Sequence, residues 1–291
     1  MAETLHGKAN AKVNLGLMVR SRGADGFHSI FSVVQSISWS DELWLAASDD
    51  DDFRVEGMTP QEDNLAWLAV KAVREAVESS QPIALRLEKQ VPIAAGLGGG
   101  SADAAAGLGM AARFFGFPQE SLSDLAGELG ADVPFCLTGG LAQIEGRGEQ
   151  VTPQDPLAED YALAIVVPPV ELPTADVYAE WDRLNEPSGP VVPESALPPS
   201  LRRFQPLRND LAPAAHSLAP LVSEWQDELM SLWDRPVMMT GSGPSLYGFF
   251  LDVDEAGAAL ESLPAGSRAY RVAGPVARGW EMSSGTLAGP N

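Results

Sequence analysis

The sequence predicts an α+β fold in two domains, and three observations carry that prediction. Residues 7–17 alternate strictly between apolar and polar side chains, opening a first half in which strands and amphipathic helices are mixed. A strand with Ile83, Leu85 and Leu87 runs through the glycine-rich residues 91–101 into a helix of small side chains. The second half reads β-α-(loop)-α-β-β-α-β, the order of an antiparallel sheet with its helices on one face. The expected boundaries are 1–155 for a first domain, 156–282 for a second domain, and 283–291 for a small, polar tail expected to be disordered.

Bulk properties exclude several classes of function. A chain of 291 residues with 45% apolar content can bury two ordinary cores. A formal charge of −21 with no basic stripe argues against nucleic acid as a partner. Cys136 is the only cysteine, so neither an intrachain disulfide nor a thiol zinc site is available. The first twenty residues do not read as a signal peptide, and no apolar run reaches the length of a membrane span. A soluble cytoplasmic protein is expected.

In residues 7–17, Ala9, Ala11, Val13, Leu15 and Leu17 share one face and Lys8, Asn10, Lys12 and Asn14 the other. A lone lysine there reads as a solvated face; Asn14, on the same side as Lys12, shifts the balance toward chemistry. Residues 22–30 form a turn with Asp25-Gly26 at its tip, and His28 reads locally as a surface turn residue before a strand over 31–39. The acid run Asp49 to Asp52 reads as a solvated hairpin end, because nothing supplies the spacing of a calcium loop. Asp63 or Asn64 caps a helix whose stripe is Leu65, Leu68, Ala69, Ala72, Val73, Ala76 and Val77. The small-residue helix from Ser101 ends at Gly116, and a further helix with Leu122, Leu125, Ala126 and Leu129 stops at Gly130. Asp132 precedes Pro134 in a sharp connection, where local sequence favours an N-cap. A strand over 141–145 and the turn Gly146-Arg147-Gly148 close this half.

Residues 161–167 read as a buried strand stopped by Pro168-Pro169, and Thr174 as the cap of a helix turning Val177, Tyr178, Trp181 and Leu184 inward. Five prolines between 186 and 200 predict an extended surface loop. One long helix with Leu218, Leu221, Val222, Trp225, Leu229 and Leu232 follows. A strand over 237–239, a glycine turn over 240–245, a strand over 246–251, a helix over 254–263 and a strand over 268–272 complete the order.

The glycine stretch is an anion site by construction. Glycines let backbone N–H groups turn inward, and the free amides and dipole of the following helix favour a phosphate. Ser101 either caps that helix or offers its hydroxyl to the ligand. A P-loop would need a lysine where Ser101 stands. A dinucleotide fingerprint would need an acidic residue closing a strand about twenty residues on, and none is there.

The pattern Pro92-x-x-x-Gly96-Leu97-Gly98-Gly99-Gly100-Ser101 resembles the ATP loop of the GHMP kinases. With residues 11–15 and 239–245, the resemblance covers nearly the whole chain. It implies a two-domain GHMP kinase fold: a first domain like ribosomal protein S5 domain 2 and a ferredoxin-like second domain. Residues 22–28, 62–65 and 130–135 are similar to the branch of these kinases that acts on a cytidine-diphosphate-linked methylerythritol. The resemblance then implies ATP-dependent phosphorylation of its 2-hydroxyl in non-mevalonate isoprenoid synthesis. By the same resemblance Asp132 is the base and Lys12 its partner, with Asn14 positioning the substrate. Pro92 and the loop Gly96, Leu97, Gly98, Gly99, Gly100 and Ser101 hold the ATP phosphates, Asn64 and Lys89 lie near adenosine, and Gly241, Ser242 and Gly243 close over the phosphates. His28 reads the cytosine edge, Phe27 and Tyr178 stack on the base, and Thr174 touches the substrate side.

Magnesium (Mg2+) is expected to ride on the ATP phosphates and water with no protein ligand, Asp103 reading as a first-turn residue that satisfies the helix dipole. The expected partner is this small cytidine-diphosphate substrate, with no nucleic acid or membrane, the chain being a monomer or weak homodimer. The alternatives are a GHMP kinase of the homoserine or mevalonate type, or a catalytically silent ligand sensor on the same fold.

Overall fold

A computed structural model describes residues 4–23 and 26–283. The expected turn tip at Asp25 and residues 284–291 of the expected tail lie outside the described residues. The first domain is built on two long antiparallel strands, β1 (Leu5–Arg22) and β2 (His28–Ala47). β3 (Asp52–Val55), α1 (Leu65–Ala76), β4 (Ile83–Glu88), α2 (Gly99–Phe115), α3 (Leu122–Leu129), α4 (Val133–Thr138), β5 (Leu141–Gly146) and β6 (Gln150–Gln154) follow. The second half supplies β7 (Ala162–Val167), α5 (Thr174–Arg183), α6 (Ala212–Leu218), α7 (Pro220–Trp233), β8 (Met238–Met239), β9 (Leu246–Phe250), α8 (Val253–Glu261), β10 (Ala269–Ala273) and β11 (Trp280–Met282).

The first sheet has the order β11-β1-β2-β4-β3, and β2 is long enough to pair β4 with its second half and β5 with its first. The second sheet, β10-β7-β9-β8, is antiparallel throughout and has the strand order of a ferredoxin-like unit. β11 leaves that unit and pairs with β1, so the expected division at 155/156 does not divide the sheets.

Three layers of core follow from the alternation along the strands. Leu43, Leu45, Leu85 and Leu87 pack on α1 and α2. Ala11, Val13 and Leu15 meet Leu163, Ile165, Val167, Tyr247 and Phe249 between the two sheets. Ala162, Ala164 and Val166 turn to α5 and α7 on the far side. Buried on both faces, β7 can therefore be apolar without interruption. α2 runs through the first core, and its alanines allow the close approach that the sequence implies.

Several local expectations are corrected. α2 begins at Gly99, with Gly98 at its N-cap, so Ser101 lies inside the helix and caps nothing. α5 starts after Pro173, and Thr174 makes no capping bond. The proline-rich stretch is not a loose loop, since Val192, Leu197 and Leu201 are buried in the inter-sheet core. Pro220 splits the expected long helix into α6 and α7 and leaves Leu218, Leu221 and Leu232 exposed, because the phase of the apolar stripe restarts at the break. Asp51 in the acid run is not simply solvated: it accepts from Arg74 Nη1 at 2.6 Å and from Ile83 N at 3.1 Å, tying α1 to β4. Asn64 caps α1 as expected, its Oδ1 accepting from Ala66 N at 3.0 Å.

α2 and β11 pack closely. A Cβ on Gly109 would lie 2.0 Å from the Trp280 ring. Helix propensity alone favours Gly109→Ala by about 1 kcal/mol, but overpacking of a rigid ring costs about 1–3 kcal/mol and dominates. Gly109→Ala is expected to lower the urea midpoint at unchanged m-value; a midpoint at or above the wild-type value would show that Trp280 yields freely.

Candidate active site

Three distant segments of the chain interlock at one point. Lys12 N donates to Leu97 O at 2.9 Å, so β1 runs against the glycine loop. Lys12 Nζ donates to Asn14 Oδ1 at 2.7 Å and to Gly96 O at 3.2 Å. Asn14 N donates to Thr240 Oγ1 at 2.8 Å, bringing in the turn between β8 and β9. The glycines serve this packing as well as any ligand. Gly96 (φ +75°) has Thr240 O 2.6 Å from where a Cβ would stand, and Gly98 (φ +68°) has the Lys12 stem at 2.8 Å. Asn209, which sequence reasoning missed, holds the turn from behind: its Nδ2 donates to Met239 O and Gly241 O, each at 2.8 Å.

This junction forms one wall of a cleft of about 1840 Å³. Asp132 stands at the N-cap position of α4, but its side chain makes no capping bond. Its Oδ2 lies 3.4 Å from Lys12 Nζ, with the lysine side chain 6% exposed and the carboxylate 40% exposed. The local preference for a cap is thus corrected: the carboxylate turns into the cleft and meets a buried ammonium. Tyr178 is close by, since burial first and the Asp132 charge second push its phenol up to about 12. It stays neutral at physiological pH.

At one end, Asn64, Pro92 and the loop from Gly96 to Ser101 all line the cleft. Lys89 also lines it, but its ammonium is turned to carboxylates: Nζ donates to Asp41 Oδ2 at 2.5 Å and Asp103 Oδ2 at 2.7 Å. Asp103 is therefore not a first-turn residue serving the helix dipole, because the helix starts four residues earlier and the side chain is buried. Asp41 was not among the expected residues. Its signal was present, for it shares the alternation of Leu43 and Leu45, so a carboxylate occupies a core position. Gly241 and Ser242 line the cleft, whereas Gly243 is not among the lining residues and packs behind them against Met239 and Leu172.

At the opposite end Phe27, His28, Thr174 and Tyr178 come together on the cleft wall. His28 is not a surface turn residue: its side chain is 6% exposed. Its ring stacks on Tyr178 at 5.4 Å and meets Trp181 edge-on at 5.3 Å. Nδ1 bonds Arg20 O at 2.9 Å, and Nε2 lies 3.2 Å from Asp182 Oδ1 without hydrogen-bond alignment. Trp181 and Asp182 were not expected at the site, although Tyr178 and Asp182 share a helix face at i, i+4. Phe27 is 56% exposed, with the Arg147 guanidinium 4.2 Å above its ring. Thr174 Oγ1 and Ser242 Oγ share a hydrogen bond at 2.9 Å, joining this end to the phosphate-side turn.

Comparison with known proteins agrees with this geometry. Residues 64–140 match the GHMP kinases N terminal domain. The chain is 33% identical over 267 residues to the 4-diphosphocytidyl-2-C-methyl-D-erythritol kinase of Thermoanaerobacter pseudethanolicus, covering 88% of this chain and 91% of that protein. A crystal structure of 4-(cytidine 5'-diphospho)-2C-methyl-D-erythritol kinase is similar at TM-score 0.76 and 34% identity, covering 96% of this chain and 100% of that one. Homoserine kinase from Cytophaga hutchinsonii shares the fold at TM-score 0.71 and 19% identity, over 97% and 98% of the two chains. With three motifs joined at Lys12 and a relative this similar along most of its length, the chain belongs to the 4-diphosphocytidyl-2-C-methyl-D-erythritol kinase family of the GHMP kinases.

Proposed function

We propose that this chain transfers the γ-phosphoryl group of ATP to the 2-hydroxyl of 4-diphosphocytidyl-2-C-methyl-D-erythritol, giving the 2-phosphate and ADP in the non-mevalonate isoprenoid route. The observation that carries the reading is the meeting of Asp132 and Lys12 in a cleft that has a glycine loop at one end and His28, Phe27 and Tyr178 at the other. A tertiary alcohol is a poor nucleophile. The Asp132 carboxylate accepts its proton as the new O–P bond forms and the bond to the ADP oxygen breaks. Lys12, fixed by Asn14 and the Gly96 carbonyl, holds that carboxylate in place and sets a positive charge where negative charge develops. Loop amides ahead of α2 hold the phosphates.

Magnesium enters with the nucleotide. Among the described residues no three His, Cys, Asp or Glu side chains gather as a metal cage. The ion is expected to be carried by the ATP phosphates and water. His28 covers one face of Tyr178, so stacking of the base falls to the other face of that ring and to Phe27, each contact contributing about 1–3 kcal/mol by analogy with nucleic-acid platforms. A homoserine or mevalonate kinase would share the loop and has no use for this aromatic end. A silent sensor has no need of the Lys12–Asp132 pair. The working protein is expected to be cytoplasmic, as a monomer or weak homodimer; among the described residues no helix is long and apolar enough to cross a membrane.

Asp132→Asn is expected to lower kcat by about 10²–10⁴, the scale of a general base, and a rate near wild type in a steady-state assay would return Asp132 to a structural role. His28→Ala is expected to raise KM for the cytidine substrate far more than KM for ATP; equal changes would remove His28 from base recognition. In thermal shift, CDP-bearing ligands are expected to stabilise the protein and homoserine or mevalonate to leave it unchanged, the reverse pattern ruling out the proposed substrate.

A further inference from the structure

Two carboxylates and one ammonium are enclosed directly beneath the phosphate loop. Lys89 Nζ bridges Asp41 Oδ2 and Asp103 Oδ2 at 2.5 Å and 2.7 Å, with side-chain exposures of 13%, 0% and 3% for the lysine and the two acids. Asp41 Oδ1 accepts from the backbone N–H groups of Gln90 and Val91 at 2.5 Å and 2.8 Å. That carboxylate is fully supplied with donors. Asp103 Oδ1 has none: it is buried and unpartnered. The cluster touches the loop, for a Cβ on Gly99, the first residue of α2, would stand 3.3 Å from Lys89 Nζ. If both acids were ionised, the cluster would carry a surplus negative charge behind the amides that face the phosphates.

We propose that Asp103, paired with Asp41 across Lys89, holds a proton beneath the glycine loop, and that nucleotide phosphates draw this proton in on binding, so that ATP affinity falls as pH rises. The inference rests on the glycine loop being the ATP phosphate site. Asp103 is a positioning residue here and acts on the nucleotide through the charge behind the loop. An ionised carboxylate needs donors on both oxygens when buried, and an oxygen left without one favours the neutral acid. Burial first, opposed by Lys89 and aided by Asp41, raises the Asp103 carboxyl to about 8. Adding a triphosphate to the cleft, which Lys89 and Asp103 themselves line, disfavours the ionised form further, by like-charge repulsion in a poorly screened site.

Among the described residues, the charged groups on the neighbouring elements are engaged elsewhere or exposed. From α4 the Cys136 thiol is pushed up, by burial first and by Asp132 second, and stays neutral. On β1, Lys12 is met by Asp132, and Lys8 lies on the opposite face of the sheet with Glu42 as its cross-strand neighbour. On α1, Lys71 lies over Trp67 and Arg74 on Asp51. Asp124 and Glu128 of α3 and Glu281 of β11 are exposed.

The test is calorimetric titration of ADP into the whole protein at pH 8, in two buffers of different ionisation enthalpy, together with KM for ATP between pH 7 and 9. Net proton uptake on ADP binding is expected, and KM for ATP rising with pH, by at most about tenfold per unit for one linked proton. In Asp103→Asn, which keeps the shape and cannot ionise, the uptake and the pH dependence of KM are expected to vanish. Nucleotide binding without proton uptake would overturn the inference, as would a pH profile in Asp103→Asn parallel to wild type. Absence of any ADP binding would overturn the assignment of the loop itself. The wild-type calorimetry decides the question even if Asp103→Asn does not fold.

Discussion

The ammonium of Lys12 is the point on which this structure turns. It is almost wholly removed from water, and an unpaired buried charge would be untenable. Its partners come from places far apart in the chain: Asn14 on its own strand, the Gly96 carbonyl in the glycine loop, and Asp132 ahead of α4. A charge that can be satisfied only by three segments at once fixes how those segments meet. The turn at 240–245 is drawn into the same knot through Asn14 N and Thr240 Oγ1. Breaking any one of these contacts by removing a partner leaves the others with an unmet charge, which costs more than the contact itself is worth.

The glycines of the loop take on a second meaning in that light. Gly96 and Gly98 adopt left-handed backbone conformations, and the space a Cβ would fill is taken by the backbone of the β8–β9 turn and by the lysine stem. The loop carbonyls are committed elsewhere: Gly96 O to Lys12, Leu97 O to Lys12 N, Ala95 O to Ser245 Oγ at 2.5 Å. The second domain thus braces the loop from behind and does not merely cover it. Ser242, hydrogen-bonded to Thr174 on α5, extends that brace to the aromatic end of the cleft.

Much of this was legible in the sequence, and the failures have identifiable physics. Alternation in β1 placed Lys12 and Asn14 on one side, and the order of strand, glycines and small-residue helix located the loop that meets Lys12. Asp132 was misjudged locally because N-cap position and cap chemistry are separable, and a residue can hold the first while its side chain faces a partner more than a hundred residues away. Asp103 was misjudged because the helix starts two residues before Ser101, on glycines that carry no start signal of their own. Asn209 escaped notice because it works through backbone groups of a distant segment, which no spacing rule reports, whereas Asp41 was visible only as a carboxylate in the alternation of Leu43 and Leu45. The proline-rich stretch looked like solvent-exposed loop because prolines exclude regular structure, yet they do not exclude burial of the valine and leucines between them.

The final strand has a consequence of its own. β11 closes the open edge of β1, and Trp280 on it seats over Gly109 in the middle of α2. The first sheet is therefore assembled from strands almost the whole described chain apart. During synthesis the hydrogen-bonding edge of β1 stays bare until residue 282 has left the ribosome. A strand made early in this stretch of chain is completed late.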